Sequence, residues 1–244
     1  MITAEALSIE FEHRSKKLEP IANNCILLSA GSALNPTEVF ENVKTTYAHQ
    51  QFPQIKEILN SVKQNYVEVR NRKAEEEIFY PVSMSISSFQ KNQNAMNDNI
   101  VLKLDHELAE YDLGLTILLA GVDSTGAHLH TIENPGVSAQ FDKLGFCCLG
   151  SGQRHAFDSL IVNNYHIELP FKEAMFATYE AKKKAELAPG VGGKTDMLYI
   201  DEKGVHMLND ATINNLQAIY EEKIKLNQPT ESKIKDMINK MELK

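Results

Sequence analysis

The stretch FCCLGSGQRHAFDSLIVNNY, residues 146–165, places a hydroxyl at a tight corner. An apolar run of strand length meets Gly150-Ser151-Gly152, and a helix-like segment follows at once. A dinucleotide loop of the Gly-x-Gly-x-x-Gly type would hold phosphates on the amino end of that helix, but the third small position here is His155 and no βαβ pattern follows. A nucleophile elbow needs Gly-x-Ser-x-Gly, which the turn lacks. Two uses remain: a serine hydroxyl that caps the helix start, or a structural corner in a site whose reactive group lies elsewhere.

A second glycine-rich stretch, APGVGGKT at 188–195, looks like a phosphate loop ending in Gly193-Lys194-Thr195. Such a loop works by leaving a strand and opening a helix, whose amides then hold the phosphates. Here the order is reversed, with helical periodicity before it and strand periodicity after it, so a helix-to-strand connection is expected. His128 and His130 stand two apart on a strand pattern and so share a face, a spacing two metal ligands can use, but the sequence places no third ligand and ordinary strand histidines are the expectation. Lys16-Lys17 reads by default as a solvated basic pair. Cys25, Cys147 and Cys148 lie in apolar runs without the spacing of a disulfide framework or a zinc site, which fits a reducing, cytoplasmic setting.

The elements that position these groups follow from periodicity. Residues 7–12 alternate apolar and polar, and residues 25–30 form a short apolar run, so both read as strands. Asn35-Pro36 starts a helix carrying Val39, Phe40, Val43 and Tyr47 at helical spacing. Residues 54–73 and 95–111 form two more amphipathic helices, and the stretch between them reads mostly as loop. The clearest hairpin turns at Asp123-Ser124-Thr125-Gly126 and is followed by Asn134-Pro135-Gly136. A further strand leads into the glycine corner, helices cover about 151–165 and 170–187, and a second hairpin turns at Glu202-Lys203-Gly204. Helices over about 209–226 and 230–241 close the chain. Hairpins in place of βαβ crossovers make the class α+β, with antiparallel sheets covered by helices.

The 244 residues, 43% of them apolar, suffice for a single domain over 1–244. A formal charge of -8 leaves no broad cationic face, so no nucleic-acid partner is expected. No apolar stretch reaches a membrane span and no leader segment follows Met1, so no membrane association is expected either.

Taken in order, MITAEALSIEFEHRSKKLEPIANNCILLSAG at 1–31, LTILLAGVDSTGAHLHTIENPG at 115–136, CCLGSGQRHAFDSLI at 147–161 and the run from KEAMFATYEAKKKA to GGKTDMLYIDEKGV resemble the β-type subunits of the 20S proteasome. The resemblance extends to their bacterial and archaeal relatives, in the N-terminal nucleophile hydrolase superfamily. It covers almost the whole chain, and its specificity lies in order and spacing. It implies a four-layer αββα sandwich, two antiparallel sheets between helical layers, and a threonine-type peptidase that hydrolyses peptide bonds of peptides or unfolded proteins without a cofactor. It also implies a ring of homo- or hetero-oligomeric proteasome-like subunits; a non-catalytic structural subunit of such a ring is the alternative.

The resemblance also assigns residues. Lys17 matches the lysine that lowers the proton affinity of the nucleophile, and Ser151 the serine that helps organise the site. Thr3 matches a backbone position that holds an extended peptide, Gly31 and Gly150 are taken with it as substrate-binding positions, and amides near the Gly150 turn would steady an oxyanion. The family's later aspartate meets KKKAEL, where Glu186 is the nearest acid and Ala185 is an equally good match. Two departures stand out. The threonine and the first strand pair, ending in Asp-Arg, fall upstream of Met1, so Met1 is expected to be an internal methionine. The helical region at 51–94 is longer than usual.

Overall fold

The computed structural model describes residues 17–31 and 35–239. They form an α+β fold with a five-stranded and a two-stranded antiparallel sheet flanked by helices. Two compact units are distinguished: one runs to Gly150 and takes in Ile200–Val205, the other holds Ser151–Tyr199 and the residues from His206 onward. The expected strand at 7–12 lies outside the described residues.

In the first unit, β1 (Leu18–Ala22), β2 (Cys25–Gly31), β3 (Leu115–Asp123), β4 (Gly126–Glu133) and β5 (Val137–Gln140) lie side by side in that order. β1 was not legible as a strand, because Pro20 interrupts it. A proline withholds one ladder donor and is therefore tolerated at a sheet edge, which is where β1 stands among the described residues. β3 alternates between a buried face, carrying Leu115, Ile117 and Leu119, and a less buried one. The buried face is covered by α1 (Asn35–Tyr47) and α2 (Ile55–Ala74).

The apolar spacing read from the sequence accounts for both helices. Val39, Phe40, Val43 and Tyr47 of α1, and Ile55, Ile58, Val62, Tyr66 and Val69 of α2, join Leu27, Ile117 and Ile132 in one core. Tyr66 is fully buried and donates its hydroxyl to the Leu115 carbonyl at 2.7 Å, so its polar end is satisfied at the strand terminus. Buried Arg70 donates to the carbonyls of Leu108 at 2.7 Å and Tyr111 at 3.0 Å and to Asn134 Oδ1 at 3.1 Å, tying the turn after β4 to the entry of β3.

The segment after α2 corrects the loop expectation. A π-turn (Glu75–Phe79) and a 3-10 turn (Tyr80–Val82) lead into α3 (Ile86–Asn92), and α4 (Asp98–Glu110) follows. Ser85 accepts from the Ser88 amide at 3.0 Å while the Ser88 hydroxyl accepts from the Ser85 amide at 2.9 Å, a reciprocal cap made without the usual acidic partner. Phe79, Phe89 and Leu104 then close a small satellite core, with the two rings 5.2 Å apart. Elements this short leave little periodicity to detect.

The second unit contains α5 (Gln153–Val162), α6 (Phe171–Ala185) and α7 (Asp210–Asn239). α7 is one helix where two were expected; Pro229 removes one amide donor without ending it. The predicted second hairpin, β6 (Leu198–Asp201) and β7 (Gly204–Met207), has its central residues Ile200–Val205 in the first unit. Residues 141–149 are not a strand, so the apolar run before the glycine corner is an irregular connection. No helix among the described residues is long and apolar enough to cross a membrane.

Candidate functional site

β3 has two ends, and the residues nominated by sequence divide between them. At its beginning, Leu115 pairs with Gly31, and Ile117 pairs with Ser29. The Ser29 amide donates to the Lys17 carbonyl at 3.0 Å, so the backbone of Lys17 belongs to the same end of the sheet. The Lys17 side chain is exposed. Gly31 has φ +96°, and a Cβ there would stand 2.1 Å from the Gly114 carbonyl oxygen, so both backbone conformation and space demand glycine. Gly150 has φ +91°, and a Cβ on it would meet Ala30 at 3.9 Å. Lys17, Gly31 and Gly150 are thus gathered at one end of β2.

Ser151 and Glu186 belong to the second unit. The cap of α5 is Gly152, and no side chain caps that helix, so the capping role expected of Ser151 is not the one it has. Gly152 is pressed against the end of α6: a Cβ on it would lie 2.7 Å from the Ala185 Cβ. Gly152 and the Ala185-Glu186 segment are therefore neighbours. The Glu186 carboxylate accepts from Lys182 Nζ at 2.5 Å and pairs with Lys183 Nζ at 2.6 Å. Burial raises its pKa, but the two ammonium groups outweigh that and hold it below the ordinary value. Thr3 lies outside the described residues.

Neither Cys148, near the corner, nor Cys25, at the other end of β2, is an activated nucleophile. Burial, reinforced by Cys147, pushes Cys148 up to about 11, and burial pushes Cys25 up to about 12, far from the thiolate range a nucleophile needs. The stretch 188–195 connects the end of α6 to β6, as expected, with Lys182 Nζ donating to the Gly192 carbonyl at 2.7 Å.

The other end of β3 carries a denser arrangement. Asp123 closes the β3–β4 turn: its Oδ1 accepts from the Thr125 amide at 2.8 Å and the Thr125 hydroxyl at 2.6 Å, while its Oδ2 accepts from the Ile55 amide at 2.8 Å. It thereby caps α2, for which Gln54 supplies no side-chain cap. His128 Nε2 lies 2.8 Å from Thr125 Oγ1 and 3.3 Å from Asp123 Oδ1, and its Nδ1 lies 2.9 Å from Asp142 Oδ2. Asp142 Oδ1 accepts from the Leu129 amide at 2.7 Å and Oδ2 from Gln140 Nε2 at 2.6 Å. The rings of His128 and His130 stack at 6.3 Å.

The electrostatics of this end follow from those bonds. Burial pushes the Asp123 carboxyl up, but the Thr125 hydroxyl and amide, the Ile55 amide and His128 together pull it well below the usual carboxylate range. Asp142 is raised by burial and lowered by more than that by the Leu129 amide, Gln140 and His128. His130 is lowered, first by burial, against the pull of Asp142.

Sequence reasoning found the two histidines but not Asp142. The ladder explains why: His130 pairs with Gln140, so continuing the register by two residues sets Asp142 opposite His128. That alignment depends on how the chain turns between β4 and β5, which spacing alone does not specify. No family model matches this chain, and no curated protein matches it.

Proposed function

We propose that the chain is a proteasome-like subunit of the threonine-peptidase type, cleaving peptide bonds in peptides or unfolded proteins. In this reading the two antiparallel sheets and their helices are the four-layer αββα sandwich of that family, and the subunit works in a cytoplasmic ring. The observation that carries it is the gathering of Lys17, Gly31 and Gly150 at one end of β2, with the Lys17 carbonyl on the Ser29 amide. The order of the resembling segments along the chain also supports it.

The chemistry then assigns a role to each group. A free threonine amine near the Lys17 ammonium stays neutral at neutral pH, because a second cation beside it is unfavourable. The neutral amine takes the proton of its own hydroxyl as Oγ attacks the peptide carbonyl carbon, and passes that proton to the departing amine. Amides around Gly150 steady the oxyanion, and Ser151 joins the proton network. Water then hydrolyses the acyl-enzyme. Gly31 and Thr3 offer backbone to an extended substrate.

A structural ring subunit is the second reading, and one observation favours it. The Glu186 carboxylate, expected to join the proton network, is occupied by Lys182 and Lys183 of its own helix. Exposed apolar side chains on the second unit, among them Ile161, Val162, Phe171 and Leu187, fit subunit contacts in either reading.

The test combines the amino terminus of the mature chain, isolated from its native source, with a peptide-hydrolysis assay. The peptidase reading expects a leading threonine, turnover, and a fall of at least about 100-fold with Lys17→Ala. Full turnover in that variant would remove Lys17 from the mechanism, and a mature chain that begins at Met1 and is inert would leave the scaffold.

A further inference from the structure

We propose that His128, His130 and Asp142 bind a divalent transition-metal cation of the zinc class, with a fourth position open to water. The proposal is independent of the peptidase reading and concerns the opposite end of β3.

Three observations carry it. First, one ligand atom from each of the three residues falls within 4.8 Å of the others. Zinc bonds of about 2.0–2.2 Å bring such atoms to roughly 3.3 Å apart, a contraction that side-chain rotation can supply. Second, the positions are fixed by the sheet. His128 and His130 share a face of β4, and the pairing of His130 with Gln140 carries Asp142 to the same edge.

Third, an outer shell is already in place. Metal-bound histidines characteristically give their second ring nitrogen to a carboxylate or hydroxyl, which fixes the tautomer. His128 turns Nε2 to Thr125 and Asp123, which supplies that outer contact, and Nδ1 to the co-ligand Asp142, so Nδ1 is the nitrogen that takes the metal in place of this hydrogen bond. Asp142 in turn is held by the Leu129 amide and by Gln140. Two carboxylates beside two imidazoles leave a charge that a dication neutralises. The donor set of two nitrogens and one oxygen suits zinc better than magnesium or calcium, which prefer oxygen alone. Three protein ligands, and not four, are the pattern of sites that keep a water.

The test titrates Zn2+ alone into the metal-stripped full chain by calorimetry and records the visible absorption of Co2+ placed in the same site. One ion per chain is expected, with the absorption of a low-coordinate Co2+ and a raised thermal midpoint. His130→Ala should weaken binding by at least about 100-fold, as should Asp142→Asn, and Asp123→Asn by about 10-fold or more. His130→Ala breaks none of the hydrogen bonds described above, and Asp142→Asn keeps an acceptor for the Leu129 amide, so circular dichroism of both should match the parent chain. The proposal fails if no saturable binding is found, or if His130→Ala and Asp142→Asn bind Zn2+ as tightly as the parent.

Discussion

The two ends of β3 are built by opposite means. At the Leu115 end the backbone does the shaping: Gly31 lies against the Gly114 carbonyl, Gly150 sits near Ala30, and the Lys17 carbonyl takes the Ser29 amide. At the Asp123 end side chains do it, with Asp123, Thr125, His128, Gln140 and Asp142 bound to one another and to the amides of Ile55 and Leu129. An end made of glycine corners offers amides and carbonyls to something that arrives, such as an extended peptide. An end made of interlocked side chains holds those groups in place against one another, and what it offers is a preset arrangement of ligands.

Substitutions separate the two designs. The largest effect is expected from Gly31→Val, which combines a positive φ with a Cβ placed inside contact distance of a carbonyl oxygen. A loss of roughly 3 kcal/mol or more follows from backbone strain and overpacking together. Chemical denaturation measures it, and a loss under about 1 kcal/mol would mean the end is not backbone-limited.

Asp123→Ala comes next. Its side chain is only 4% exposed, and its removal strips acceptors from the Ile55 and Thr125 amides, for a loss of about 2 kcal/mol. The same carboxylate gives a pH signature. Asp123 and Asp142 are held below the ordinary value of 3.8, so their contribution is complete above that value and is lost as pH falls below it through the folded-state values. Denaturation midpoints at about pH 6 and about pH 3 should therefore differ less in Asp123→Ala than in the parent chain. Equal losses would detach Asp123 from acid stability.

Gly150→Ala should be the mildest. It shares a positive φ with Gly31, but its added carbon meets Ala30 at an ordinary contact distance, so strain alone costs about 1 kcal/mol. A cost equal to that of Gly31→Val would erase the distinction between strained and crowded glycines at this end.

The local elements were largely readable. Val39, Phe40, Val43 and Tyr47 announced α1, and the Asp123-to-Gly126 turn announced the β3–β4 hairpin, because each signal depends on residues within a turn or two of one another. Short or interrupted elements escaped: β1 behind Pro20, and α3 with its serine pair in place of an acidic cap. For the candidate sites, the histidine pair was visible from its two-residue spacing, while Asp142 was not.

Sequence alone determined the class of the fold, the helix faces that meet the large sheet, and the glycines at the corners, since periodicity and φ preference are local properties of the chain. Tertiary structure alone decided that Asp142 stands opposite His128 and that Asp123 caps a helix 68 residues away. Register and remote capping depend on which segments pack together, and packing is settled by the burial of the whole core.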